Sequence, residues 1–150
     1  MSEVMGNLTK TQVSADGTTW ADFCNFTGEL NIDFGSFQVN KEYCLSSNDP
    51  VVALGDRDFS QQTFSFLWTE GDSDAANKIF RDAHLSDSLE AKKVYIAGEL
   101  NNKPDGGTSG TRYEAQFVVV GYRHEIKRGS VNKTTVTVEQ LTVPTETAAV

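Results

Sequence analysis

The chain has 150 residues, enough for one hydrophobic core and few for two. Its net charge of −8 and pI of about 4.7 argue against general affinity for nucleic acid, because phosphate binding needs clustered Lys and Arg. No apolar run approaches the roughly 20 residues of a membrane helix, and the opening MSEVMGNLTK lacks the charged-then-apolar layout of a signal peptide. Synthesis and folding in a cytoplasm are therefore expected, and the Asn-x-Thr triplets at Asn7, Asn25 and Asn132 read as chance.

In chain order, residues 1–10 have weak periodicity and read as an arm that orders on binding. Asp16-Gly17 between two extended stretches marks a hairpin, since Gly supplies the positive φ of a tight turn. Trp20 and Phe23 are expected in the core or an interface. Residues 23–32 and 37–45 read as paired strands around Asp33-Phe34-Gly35-Ser36. Matching apolar faces sets Ile32 opposite Phe37, Leu30 opposite Val39 and Phe26 opposite Tyr43. That register puts Cys24 and Cys44 on different faces, which predicts two reduced thiols and no disulfide. Residues 46–58 (SSNDPVVALGDRD) read as a long loop, with Pro50, Gly55, Asp49, Asp56 and Asp58 arguing against ladder backbone. The apolar centre, Val51-Val52-Ala53-Leu54, suits contact with a partner, the alternative being a loop folded back on its own core.

Residues 63–69 alternate, with Phe64, Phe66 and Trp68 on one face. Asp72 or Ser73 then caps a helix predicted over 72–84, whose apolar stripe is Ala76, Ile79, Phe80 and Ala83. A strand over 92–100 places Val94 and Ile96 together. Residues 101–110 (NNKPDGGTSG) are turn chemistry and read as a mobile hairpin tip. The longest strand spans 111–126, with Tyr113, Ala115, Phe117 and Val119 on one face and Arg112, Glu114, Gln116, Val118 and Val120 on the other. Its return, 131–143, is rich in threonine and of mixed polarity, which suits a face that meets water or a wet lumen. Residues 144–150 read as a loose tail. The predicted fold class is mainly β: one domain over 1–150, an antiparallel sandwich or barrel with a single flanking helix.

Chemistry is sparse. His84 and His124 sit in no ligand-spaced cluster, and Asp72-Ser73-Asp74 lacks the Gly and distal Glu of a calcium loop. Asp56-Arg57-Asp58 reads as a solvated cluster or an interface pair. No phosphate-cradling glycine loop, nucleophile elbow or Cys–His constellation is present, so no enzyme, metal or cofactor is expected.

The order of these features carries a resemblance. The stretch TQVSADGTTW over 11–20, Lys41-Glu42-Tyr43, Ala53-Leu54-Gly55-Asp56, the strand over 63–68 and the Asp-x-Asp-Ala-Ala helix start at Asp72 resemble the major tail tube proteins of long-tailed bacteriophages, the lambda-like tail tube family. The likeness covers 11–143. Nothing in these 150 residues matches the appended C-terminal immunoglobulin-like domain of the lambda protein, so that domain's surface role is not carried over. The resemblance implies a β-sandwich with a flanking helix. Six copies would form a ring and rings would stack into the tube through which DNA leaves the capsid. It assigns the 46–58 loop to subunit or ring contacts through Asp49, Val51, Val52, Leu54, Asp56, Arg57 and Asp58, together with the 1–10 arm and the 101–110 tip. Implied partners are further copies, tape measure protein, and tail terminator and tip proteins, in a virion tail assembled in host cytoplasm. An acidic bore would repel phosphate, so DNA slides without specific binding. Glu114 and Glu139, each on the more polar face of a long strand, are the candidates to line it. Competing readings are the tube protein of a contractile or secretion machine and a small carbohydrate-binding β-sandwich, with an enzyme third.

Overall fold

The computed structural model describes residues 8–23, 30–43, 45, 48–67, 75–129 and 132–150. Wherever apolar residues recur at every second position, the chain forms a strand with one face turned to the core. The elements in order are β1 (Leu8–Ser14), β2 (Ala21–Asp22), β3 (Ser36–Tyr43), β4 (Pro50–Asp58), β5 (Gln61–Leu67), α1 (Ala75–Leu85), β6 (Lys93–Leu100), β7 (Arg112–Glu125), β8 (Lys133–Gln140) and β9 (Thr145–Thr147). A short 3-10 turn, Glu90–Lys92, leads into β6.

The main sheet runs β2-β1-β6-β7-β8-β5, with β9 paired to the first part of β7, and every pairing is antiparallel. It curls into a half-barrel with the one helix packed on it, so the predicted sandwich or barrel resolves to an open barrel. The Asp16-Gly17 turn joins β1 to β2 as read, with Gly17 at φ 84°. Asp16 knots that turn by accepting from the backbone N–H of Thr18 and Thr19 at 2.8 and 2.9 Å.

The core lies between sheet and helix. Val13, Phe64, Phe66, Val94, Ile96, Phe117, Val136 and Val138 are all within 1% of full burial, and they alternate along their strands as the sequence pattern requires. From α1, Ala76, Phe80 and Ala83 close over them. Phe23, Phe64, Phe66 and Phe80 form one aromatic cluster with ring centroids between 5.4 and 5.8 Å apart, mostly tilted or edge-on. A polar clamp also ties α1 to the sheet. The Tyr122 hydroxyl donates to Asn77 on the helix, which leaves the phenol oxygen to accept from His124 Nε2–H at 3.1 Å. His124 Nδ1 in turn hydrogen-bonds the buried Thr134 hydroxyl at 3.0 Å. His84 stacks on the same tyrosine, 6.3 Å between centroids.

In β7 the register slips between Val119 and Gly121. Ahead of this bulge, Ala115, Phe117 and Val119 face the core; beyond it, Tyr122 and His124 do. The strict alternation read from 111–126 therefore holds only for its first half.

Several expectations are corrected. Most of the stretch read as a loop is a strand: Pro50–Asp58 is β4, paired with β3 as Tyr43↔Pro50, Lys41↔Val52, Val39↔Leu54 and Phe37↔Arg57. Proline is tolerated as the first residue of an edge strand, and Gly55 sits at a bulge between Phe37 and Val39, so neither breaks the ladder. Among the described residues no ladder joins 30–32 to β3; residues 24–29 of the expected first strand lie outside the described set. Leu30–Gly35 is irregular, and Phe23, Leu30 and Ile32 pack against the core instead of opposing Val39 and Phe37. Cys24, Phe26 and Cys44 lie outside the described residues, as do Trp68 and the cap positions Asp72 and Ser73. The helix starts at Ala75 and ends at Leu85. Residues 8–10 of the predicted arm belong to β1; residues 1–7 are outside the described set. The tail over 144–150 is not loose. β9 pairs with β7, and the Val150 carbonyl accepts from Thr108 and Ser109 N–H at 2.6 and 3.1 Å while its own N–H donates to Ser109 at 3.0 Å. The predicted mobile tip and the tail therefore hold each other.

Phe80→Ala removes the helix's contribution to the aromatic cluster and is expected to lower the unfolding free energy by about 4 kcal/mol. The exposed Arg81→Ala on the opposite helix face should change it by less than about 0.5 kcal/mol. Urea titrations of the two variants check the difference.

Candidate functional site

Because strands alternate, a sheet with one face in the core offers its other face to whatever lies outside. Here that second face is polar. Gln61, Thr63 and Ser65 of β5 stand beside Glu139, Thr137 and Thr135 of β8, and Glu139 lies level with Val118 of β7, in line with Gln116 and Glu114. Glu114 and Glu139 thus share this face, as the sequence patterning implied. The face is organised by hydroxyl and charge pairs. Thr63 and Thr137 hydroxyls meet at 3.0 Å, Ser65 and Thr135 at 2.9 Å, and Thr135 donates to Glu125 at 3.1 Å.

Two of its acids, Glu114 and Glu139, have different surroundings. The Glu114 carboxylate accepts from Arg112 Nε at 2.7 Å and is one-third exposed. Arg112 in turn donates to Gln12 at 2.6 Å and lies 4.6 Å over the Trp20 ring, which holds it in place. Gln12 continues the chain of bonds to Asp22 at 2.7 Å. Glu139 is exposed, and among the described residues no ion pair reaches it. With Arg123 beside Glu125 at 3.3 Å as well, the face carries alternating charge instead of a uniform acidic wall.

The second surface is the β3–β4 hairpin. All eight residues of β3 are exposed, and β4 is exposed at every position except Pro50 and Gly55. The contact residues assigned from the sequence all lie on it: Asp49 at its turn, and Val51, Val52, Leu54, Asp56, Arg57 and Asp58 on β4. Val51, Val52 and Leu54 are 67%, 54% and 66% exposed, and Val39 and Tyr43 across the ladder add to the apolar surface. A two-stranded hairpin is marginal in water, so this one is an element in want of cover.

Its root is firm. The Asp33 carboxylate accepts from the backbone N–H of Gly35 and Ser60, each at 2.8 Å, which closes the two ends of the hairpin on one side chain. The buried Gln140 at the end of β8 holds the Asp33 backbone by accepting its N–H at 3.0 Å and donating to its carbonyl. Gly35, at φ 92°, makes the turn into β3. These bonds hold the Asp33 carboxyl below the usual carboxylate range, the Gly35 N–H first and the Ser60 N–H second. Sequence reasoning placed Asp33 in a tight turn and missed this role, because the Ser60 and Gln140 contacts are long-range. Beside the root a cleft of about 520 Å³ opens, lined by Leu30, Ile32, Phe34, Leu100 and Tyr113 among others.

No protein-family model matches the chain, and no curated protein matches it by sequence. Solved structures do. A chain of the anti-feeding prophage cap, the cap that terminates its tube, is similar with a TM-score of 0.64 and 14% identity, over 99% of this chain and 95% of that one. A chain of the extended sheath–tube complex of the PVC extracellular contractile injection system is similar with a TM-score of 0.65 and 13% identity, over 95% and 91%. The SPP1 tail tube is similar with a TM-score of 0.61 and 10% identity, over 99% and 81%. The chain has a tail-tube-like fold.

A carboxyl whose folded pKa is depressed contributes stability above its unfolded value, about 3.9, and loses it as pH falls through the lower folded value. Asp33 has that sign, and so does Asp16, whose carboxyl is held down by the Thr19 and Thr18 N–H groups and the Ser14 hydroxyl. Asp33→Asn is expected to be less stable at pH 7 and to lose less stability as pH falls below about 4. Urea midpoints across that range check it; an unchanged acid limb would exclude Asp33 from the root knot.

Proposed function

We propose that this chain is the subunit of a hollow tail tube: six copies close a ring through their sheet edges, and rings stack around a bore lined by the polar face. The observation that carries the reading is a sheet left open at both margins beside an uncovered polar face. Among the described residues β5 has a ladder partner on one side only, β8, and β1 is covered on its outer side only around Thr11–Val13. An unpaired strand edge pairs with another chain unless something covers it, and cyclic closure removes every such edge. The likeness in fold to a phage tail tube and to injection-system tube assemblies supports the same reading.

DNA passing such a bore meets hydroxyls and charges of both signs. That pattern offers no continuous track of bases for phosphate, so the duplex slides. Glu139, exposed on this face, acts as a repelling group, whereas Glu114 is neutralised by Arg112. The hairpin and the residues ahead of β1 make contacts between copies, and the tube's other partners are the tape measure, terminator and tip proteins of a virion tail assembled in host cytoplasm. A second reading, the tube of a contractile injection machine, is supported by the likeness to the PVC sheath–tube complex and differs in having a sheath around the tube.

Negative-stain microscopy of concentrated protein is expected to show rings and hollow tubes with six-fold end views; monodisperse monomers at every concentration would overturn the proposal. Glu139→Lys is expected to leave tubes intact while slowing DNA delivery, read as reduced infectivity of particles carrying it. Undiminished infectivity would remove Glu139 from the bore.

A further inference from the structure

We infer that Trp20 is a positioning residue for DNA passage: stacked on Arg112, it keeps that guanidinium away from phosphate at the polar face. The inference rests on the reading of that face as the wall of a DNA-conducting bore.

A base on such a wall acts as a brake, because each Lys or Arg that meets a phosphate releases counterions and tightens binding. Two arginines of β7 belong to this face, one near each end of the strand. The Arg123 side chain is 72% exposed and meets Glu125 at 3.3 Å. The Arg112 side chain is only 17% exposed. Neighbours on β7, on β1 and in the turn between β1 and β2 make that difference.

Arg112 reaches from β7 to Gln12 on β1, and β6 lies between those strands. The side chain therefore crosses β6 on the polar face, a span of about 10 Å at the usual strand spacing. β6 permits the crossing because Ala97 stands opposite both Gln12 and Glu114. Ala97 belongs to the polar face by alternation, yet it is fully covered. Its methyl group leaves room where a longer side chain would block the guanidinium. Glu99, opposite Arg112 in the same ladder, is buried as well.

The donors of Arg112 are engaged. Nε donates to Glu114 at 2.7 Å and Nη1 to Gln12 at 2.6 Å, so two of the three nitrogens are bonded within the chain. Gln12 is itself held by donating to Asp22 at 2.7 Å. The Trp20 indole lies against the guanidinium at 4.6 Å, and an indole is the strongest ring for this contact. The bonds from Thr18 and Thr19 N–H to Asp16 fix the turn that carries Trp20. A phosphate would have to displace a carboxylate and a ring together to reach Arg112.

The test is a double-mutant cycle in the full chain: Trp20→Ala, Arg112→Gln and both together, with Trp20→Phe alongside. Thermal melts verify folding. Binding of a fluorescent duplex oligonucleotide is read by anisotropy across a salt series, on protein kept dilute and unassembled. Trp20→Ala is expected to tighten binding roughly fivefold at low salt and to steepen the dependence of log K on log salt by about 0.9, one added phosphate contact. Trp20→Phe keeps a ring over the guanidinium and stays near wild type. Trp20→Ala added to Arg112→Gln changes neither affinity nor slope. Unchanged affinity and slope in Trp20→Ala would overturn the inference and leave the tube reading standing. A gain that persists beside Arg112→Gln would also overturn it, since the new contact would come from another group. A wild-type chain that forms neither rings nor tubes would overturn the tube reading, whatever the binding cycle returns.

Discussion

The structure depends on the pleat of one antiparallel sheet. Successive side chains point to opposite sides, so a single set of strands must supply a dry surface for α1 and a wet one for everything else. Phe64, Phe66, Val136, Val138, Phe117 and Ile96 take the dry side and are essentially sealed. Thr63, Ser65, Thr135 and Thr137 take the wet side and bond among themselves. Neither side could be exchanged for the other by a register slip without placing phenylalanine in water and threonine pairs beneath the helix. The one helix is sufficient because only one side needs cover.

That constraint also separates what was legible in the sequence from what was not. The central strands, the helix and the shared face of Glu114 and Glu139 follow from alternation and helical spacing, which are local patterns. The half of the chain before β5 was harder. Residues 50–58 carry Pro, Gly and three aspartates with Asp49, and a strand exposed on both faces has no alternation, so β4 reads as loop from the sequence. Phe23, Leu30 and Ile32 look like strand residues but serve as packing for the core from irregular backbone. The Asp33 knot could not be seen either, since its partners Ser60 and Gln140 lie 27 and 107 residues away. The state of Glu114 was hidden for a related reason: the position of Arg112 over Trp20 and against Gln12 depends on β1 lying near β7 across β6.

The two surfaces described for assembly are built differently. The polar face is a product of the main sheet, and its side chains are braced by neighbours in the same ladder. The hairpin is outside that sheet and has no core of its own; it is held only where it begins and ends, by one carboxylate and one buried glutamine. Order in the hairpin therefore costs conformational entropy that few internal contacts offset. An element of this kind gains most from meeting another surface.

The bulge in β7 sets the phase of everything that follows it. The extra residue at Val119–Gly121 is what brings Tyr122 and His124 beneath α1 and sends Arg123 and Glu125 outward to the hydroxyl pairs. Without it, simple alternation would continue from Val119 through Gly121 to Arg123, leaving a glycine opposite Val136 in place of the phenol and a guanidinium opposite Thr134, where His124 now lies. The length of this strand is thus a counted quantity. Neutral drift can exchange side chains along its second half, but insertion or loss of a single residue there would invert inside and outside for the whole closing hairpin.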